Sequence, residues 1–157
     1  MNDATINLRD AHRGDVPFLV ECNAAMASET EHKALDRGVL TRGTHAVFDE
    51  PRRGFYLVAE RKGEPVGCLL VTFEWSDWRN GDWWWLQSVY VVPAARRSGV
   101  FRALYAEVER RARAAPQVIG LRLYVERDNA RAQRTYASLG MEEEAYRMFA
   151  RGFIQFV

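Results

Sequence analysis

The apolar residues follow two spacings, and the switches between them mark out the elements. Thr5 to Arg9 alternates, with Ile6 and Leu8 on one face, and predicts a first strand. Phe18, Leu19, Cys22, Ala25 and Met26 then recur at helical spacing, with Asp15 placed as N-cap and Pro17 in the first turn. Ser28 to Lys33 breaks that pattern and predicts a loop. Asp36 can cap a second, weaker helix toward Phe48, with Val39, Leu40, Ala46 and Val47 as apolar positions and Glu50 to Gly54 as its close. From Phe55 the period changes to that of strands. Phe55–Arg61 and Val66–Trp75 are joined by the turn Lys62 to Pro65, and Asn80-Gly81 predicts a type I′ hairpin joining Trp75–Trp78 to Trp83–Trp85.

The second arm of that hairpin runs on into the apolar stretch Val89 to Val92, which Pro93 must end. Ser98 or Gly99 then opens a helix to Ala115, with Phe101, Leu104, Tyr105, Val108 and Ala112 on its apolar face. Pro116 breaks it. Val118–Glu126 predicts another strand, Asp128 or Asn129 caps a helix ending at Gly140, and Met141–Ala150 and Phe153–Val157 predict two last strands. The order β-α-α-β-β-β-α-β-α-β-β describes one α/β domain over residues 1–157, a mixed, mostly antiparallel sheet flanked by helices.

Composition narrows the setting without changing this picture. The chain has 157 residues, enough for one full core, with 48% hydrophobic and 27% charged residues as in ordinary globular proteins. A net charge of +1 gives no global field for nucleic acid, although many arginines fall between Arg96 and Arg151. Cys22 and Cys68 form no C-x-x-C pair and read as small buried hydrophobes of a reduced, cytoplasmic protein. No apolar run approaches a membrane span, and the start of the chain lacks the pattern of a signal peptide. His12, His32 and His45, spaced by 20 and 13 residues, match no common metal-ligand pattern, so no metal is expected.

The chemistry concentrates where the strand Val89–Val92 gives way to the helix at Gly99. Arginines and a glycine at a helix N-terminus make an anion site, because unpaired N–H groups point outward there and the helix dipole favours negative charge. Arg96-Arg97-Ser98-Gly99-Val100-Phe101 resembles the Q/R-x-x-G-x-G/A loop of the GNAT superfamily of acyl-CoA-dependent N-acyltransferases, departing from it at Phe101. The run Val125 to Met141 is similar to that family's V-x-x-x-N-x-x-A-x-x-x-Y-x-x-x-G-F/M, with Asn129, Ala132, Tyr136 and Gly140 in place. The element order also matches that fold.

The resemblance implies acetyl-CoA as acyl donor, its diphosphate at Arg96, Arg97, Ser98, Gly99, Phe101 and Arg102, and its pantetheine arm at backbone groups of Val91 and Val92. Asn129 is a helix cap, a ligand of the cofactor arm as in relatives, or both. Phe101 is in phase with Leu104 and Tyr105, so the simpler role for its side chain is a core anchor. Tyr136 is the candidate acid for the leaving thiolate, against a plain core role beside Ala132 and Leu139.

Many relatives carry a glutamate base where this chain has Gln87, which cannot accept a proton at neutral pH. Glu74 on the preceding strand, and Glu29 or Glu31 after the first helix, are the substitutes. The alternatives are a water chain or an amine that arrives neutral. The expected activity is direct acetyl transfer from acetyl-CoA to an amine of a small molecule or a protein. A noncatalytic coenzyme A-binding or sensing module is the alternative. Partners are then the donor and an amine acceptor, with neither nucleic acid nor membrane. Trp75, Trp78, Trp83, Trp84 and Trp85 cannot all face one side of a strand, which leaves packing, an acceptor pocket or a homodimer contact open.

Overall fold

The computed structural model describes residues 5–154. The chain divides into two compact units, one running to Arg122 and one from Leu123 onward.

The first unit is an α/β fold around a five-stranded sheet in the order β1-β2-β3-β4-β5. Its elements are β1 (Asn7–Asp10), α1 (Val16–Glu31), α2 (Arg37–Asp49), β2 (Phe55–Arg61), β3 (Glu64–Ser76), β4 (Gly81–Val91), α3 (Val100–Ala114) and β5 (Val118–Arg122). β1 to β4 pair antiparallel, and β4 with β5 parallel. Alternation along the strands sends successive residues to opposite faces, which sets the two layers. On one face Leu19 and Cys22 of α1 pack with Tyr56, Val58, Cys68 and Tyr90. On the other, the missing side chain of Gly67 leaves room for α3. A Cβ there would lie 2.9 Å from Val100 and 3.6 Å from Leu104.

Several boundaries differ from the sequence reading, each for a local reason. Ser28 to Glu31 is helical, since α1 runs to Glu31 and ends at His32 in the left-handed region, φ 53°. Asp15 stands at the N-cap position but its carboxylate is buried against Arg9, at 2.7 and 2.8 Å, so it ties β1 to α1 instead of capping. Asp36 does cap α2, accepting from the Val39 N–H at 2.7 Å.

The tryptophan hairpin turns through the four residues Asp77–Asn80, with Ser76 opposite Gly81, rather than through Asn80-Gly81. Gly81 already belongs to β4. A Cβ on it would stand 2.4 Å from Ile119 and 2.9 Å from the Gln117 carbonyl, so glycine is needed for the close approach of the β5 segment. Val100, not Phe101, is the fully buried first anchor of α3, and Phe101 is half-buried against Tyr105 with ring centroids 6.2 Å apart.

β5 stops at Arg122, well short of Glu126, and its parallel ladder with β4 ends at the Trp85–Arg122 pair. Three residues further along β4, Ser88 and Val89 oppose the single residue Leu69, and Ser88 has φ 49°, the mark of a bulge.

The second unit contains α4 (Ala130–Ser138), capped by the Asn129 side chain, which accepts from the Ala132 N–H at 3.1 Å. Gly140 follows with φ 84°, as expected of the residue past a helix end. No strand forms over residues 141–154, contrary to the two strands predicted there. A strand exists only with a neighbour to pair with. Here Glu142, Glu143 and Glu144 are three successive exposed carboxylates that offer a strand no apolar face to bury. The end of the last predicted strand, residues 155–157, lies outside the described residues.

Candidate functional site

The site begins as a gap in the sheet. β4 pairs with β5 only from Asp82 to Trp85; from Leu86 to Val91 it pairs with β3 alone. The Val92 N–H donates to the Val66 carbonyl at 2.9 Å, and the Val92 carbonyl accepts from Ala95 at 2.9 Å. Val92, expected to offer its backbone to a ligand, is therefore engaged within the protein. Adjacent residues in a strand alternate sides, so Val91 turns its N–H and C=O to the open edge. Its carbonyl accepts from the Arg96 Nε at 2.9 Å.

The chain then makes a short 3-10 turn, Pro93–Ala95, and the loop Arg96–Gly99 leads into α3. Arg97 and Gly99 both have positive φ, 59° and 84°. Left-handed residues on either side of Ser98, which is not left-handed, turn successive backbone N–H groups into a shared concavity. Among the described residues, no protein acceptor meets the N–H groups of Arg97, Ser98, Gly99 or Val100. A Cβ at Gly99 would meet nothing within 4 Å, so the space over the loop is open.

Ser98 donates through its Oγ to the Ala95 carbonyl, and its own carbonyl accepts from Arg61 at 2.9 Å. The buried Nε of Arg61 has no hydrogen-bond partner among the described residues. Arg97 and Arg102 are exposed on either side of Gly99. Donor N–H groups, a helix N-terminus and guanidinium groups fit a diphosphate.

Arg96 behaves differently from its neighbours. Its Nη2 lies 2.7 Å from Glu29 Oε2, and its guanidinium carbon is 5.3 Å from the centroid of Tyr90. The Tyr90 hydroxyl donates to Glu29 Oε1 at 2.7 Å. The Tyr90 hydroxyl and Arg96 together hold the Glu29 carboxyl below the ordinary carboxylate range, so it is ionised at neutral pH. Burial, and the Glu29 carboxylate after it, push the Tyr90 hydroxyl up.

Further along the same sheet face, Gln87 donates to Thr72 Oγ1 at 2.7 Å. Glu74 lies two residues beyond Thr72, about 7 Å along the strand. Its Oε1 accepts from Arg122 at 2.7 Å and from the Trp85 indole at 3.3 Å, while Arg122 stacks on Trp83 at 4.0 Å. Trp75 and Trp78 are exposed at the hairpin tip, and Trp84 is buried with Phe55 and Phe73.

The description "Acetyltransferase (GNAT) family" matches residues 22–141. The chain belongs to the GNAT acetyltransferase family. A possible acetyltransferase from Clostridium difficile 630 is 39% identical to it, with a TM-score of 0.89 over 96% of this chain and 99% of that one. A predicted acetyltransferase with acetyl-CoA from Clostridium acetobutylicum shares the fold at 14% identity, TM-score 0.78, over 94% and 96% of the two chains. A transcriptional regulator from Bacillus halodurans C-125 does so at 20% identity, TM-score 0.79, over 95% and 100%. No match to a curated protein was found.

In the second unit of this GNAT chain, Asn129 caps α4 and Gln133 donates to the carbonyls of Glu126 and Arg127 at 3.2 and 2.8 Å. Tyr136 is half-buried, and that burial pushes its hydroxyl above the ordinary phenol value. It therefore carries its proton across the neutral range. Among the described residues no group of His, Cys, Asp and Glu could hold a metal, and no helix is long and apolar enough to cross a membrane.

Sequence reasoning missed the Glu29–Arg96 link because it placed Glu29 in a loop. One signal was available. Leu19, Cys22, Met26 and Glu29 are spaced by three, four and three residues, so Glu29 continues the inward stripe of α1.

Proposed function

We propose that the protein is an N-acetyltransferase that moves an acetyl group directly from acetyl-CoA to an amine. The observation that carries this reading is the open edge of β4 leading into a loop of unpartnered N–H groups at the start of α3. The Val91 edge takes the pantetheine arm, and the amides of Arg97 to Val100 with Arg96, Arg97 and Arg102 take the diphosphate; the family resemblance implies Asn129 as a ligand of the cofactor arm. The amine nitrogen attacks the thioester carbonyl, the C–N bond forms and the C–S bond breaks. Tyr136 gives its proton to the departing thiolate, the nitrogen releases its extra proton to solvent after attack, and Tyr136 is reprotonated from solvent.

No side chain removes the amine's proton in this scheme. Gln87 is an amide fixed by Thr72, and the Glu74 carboxylate is committed to Arg122 and Trp85. The acceptor therefore reacts as free amine. For an alkyl amine of pKa about 10.4, kcat/KM should rise about tenfold per pH unit through the neutral range. Thiol release measured across a panel of amines, as a function of pH, tests this. A plateau near neutral pH would require an enzyme base. Tight acetyl-CoA binding without turnover on any amine would favour a coenzyme A-binding module. Tyr136→Phe keeps the ring and loses the hydroxyl, and should lower kcat by about ten- to a hundredfold at unchanged donor affinity. Unaltered kcat would return Tyr136 to a packing role.

A further inference from the structure

Arg96 sits on the anion loop, yet its side chain is turned inward onto a protein carboxylate. Its Nε is bound to the Val91 carbonyl and its Nη2 to Glu29, at 2.9 and 2.7 Å. The Val91 carbonyl lies on the stretch of the β4 edge beyond β5 that no strand covers among the described residues, which is where the donor's arm would run. Glu29 in turn places a negative charge next to the first arginine of the loop. The free protein thus occupies with its own groups both the cation and the carbonyl that the donor needs.

Resting on the acetyl-CoA reading of this loop, we propose that Glu29 is the internal anion that Arg96 exchanges for the donor's diphosphate. Glu29 is then a positioning residue that sets donor affinity. The exchange is physically easy. The two side chains are 41% and 43% exposed, and an ion pair so placed contributes little by itself. A diphosphate carries more charge than one carboxylate and can take two guanidinium N–H groups at once. The loop amides hold that diphosphate close to Arg96 in sequence and space. Glu29 is not stranded by the exchange, because the Tyr90 hydroxyl still donates to it at 2.7 Å.

The inference predicts an unusual sign, because removing a charged group from the site should tighten binding. Calorimetric titration with coenzyme A compares the parent with Glu29→Gln, Arg96→Gln, the double variant and Glu31→Gln. Glu31 pairs with Lys33 on the same helix end, at 2.6 Å, and its variant controls for the lost charge alone. Glu29→Gln should bind coenzyme A about two- to fivefold more tightly, the span of an exposed ion pair. Glu31→Gln should match the parent, Arg96→Gln should bind more weakly, and the double variant should match Arg96→Gln. Weaker or unchanged binding in Glu29→Gln would overturn the exchange. So would equal tightening with and without Arg96, since that is plain charge repulsion. A parent that does not bind coenzyme A at all would overturn the donor reading itself, an outcome distinct from these.

Discussion

The two ends of β4 carry the same three kinds of group and do different things with them. At the end paired with β5, Arg122 meets Glu74 at 2.7 Å and stacks on Trp83 at 4.0 Å. At the other end, Arg96 meets Glu29 at 2.7 Å and lies 5.3 Å from Tyr90. The first set is a girdle across three neighbouring strands, β3, β4 and β5, which are paired to one another there. The second set bridges a helix and a loop beside a strand edge and a run of N–H groups that nothing in the described chain satisfies. An arginine–carboxylate pair beside an aromatic ring is therefore no marker of a site. What distinguishes the proposed donor end is its run of unmet N–H groups at a helix start, which an anionic ligand can satisfy.

The largest test of that difference acts on the backbone itself. Gly99→Asp forces a side chain onto a residue at φ 84° and puts a carboxylate over the loop amides. The strain costs on the order of 1 kcal/mol, and the like charge adds to it. Coenzyme A affinity should fall by about a hundredfold or more, read by calorimetry on a variant whose circular dichroism matches the parent. Undiminished affinity would move the donor away from this loop and dissolve the contrast between the ends.

At the closed end the expectation reverses. Arg122→Ala removes the ion pair and the stacking on Trp83 together, which should cost stability of about 1–2 kcal/mol in urea denaturation. Coenzyme A affinity should stay within about twofold of the parent, since no donor-binding group is touched. A large loss of affinity with stability intact would mean that the girdle, too, belongs to the site.

How far the sequence could reach follows the same division. The central strands and α3 were legible because their apolar spacing is undisturbed: β2 falls at the predicted Phe55–Arg61, and Gly99 caps α3 as one of two proposed residues. The loop of open N–H groups before α3 was legible because its glycine and arginines lie within one short run. Features made by distant segments were not. Val92 looked like a ligand group until its N–H was found on Val66, and Glu29 looked like loop until Tyr90 and Arg96 gave its helix a reason to continue. Gly81 read as a turn residue because Asn-Gly is a strong local signal. Its actual requirement is the close approach of Ile119, 38 positions away, which no local pattern contains.

The smallest expected effect concerns Glu74, which sequence reasoning nominated as a base beside Glu29 and Glu31. Its position supports the nomination in part, since it shares a sheet face with Gln87 and follows Thr72 by two residues. Its bonding argues the other way. One oxygen accepts both the Arg122 guanidinium and the Trp85 indole, so taking a proton would mean surrendering charge-assisted contacts. Glu74→Gln keeps the size and the acceptor oxygen while removing the charge. It should cost less than about 1 kcal/mol of stability, because the carboxylate is nearly half exposed. It should also leave the pH dependence of kcat/KM unchanged, still climbing with the free amine. If instead the parent profile bends and the bend disappears in Glu74→Gln, the girdle supplies the base. The chemistry would then span both ends of β4, with the donor held at one and the proton removed at the other.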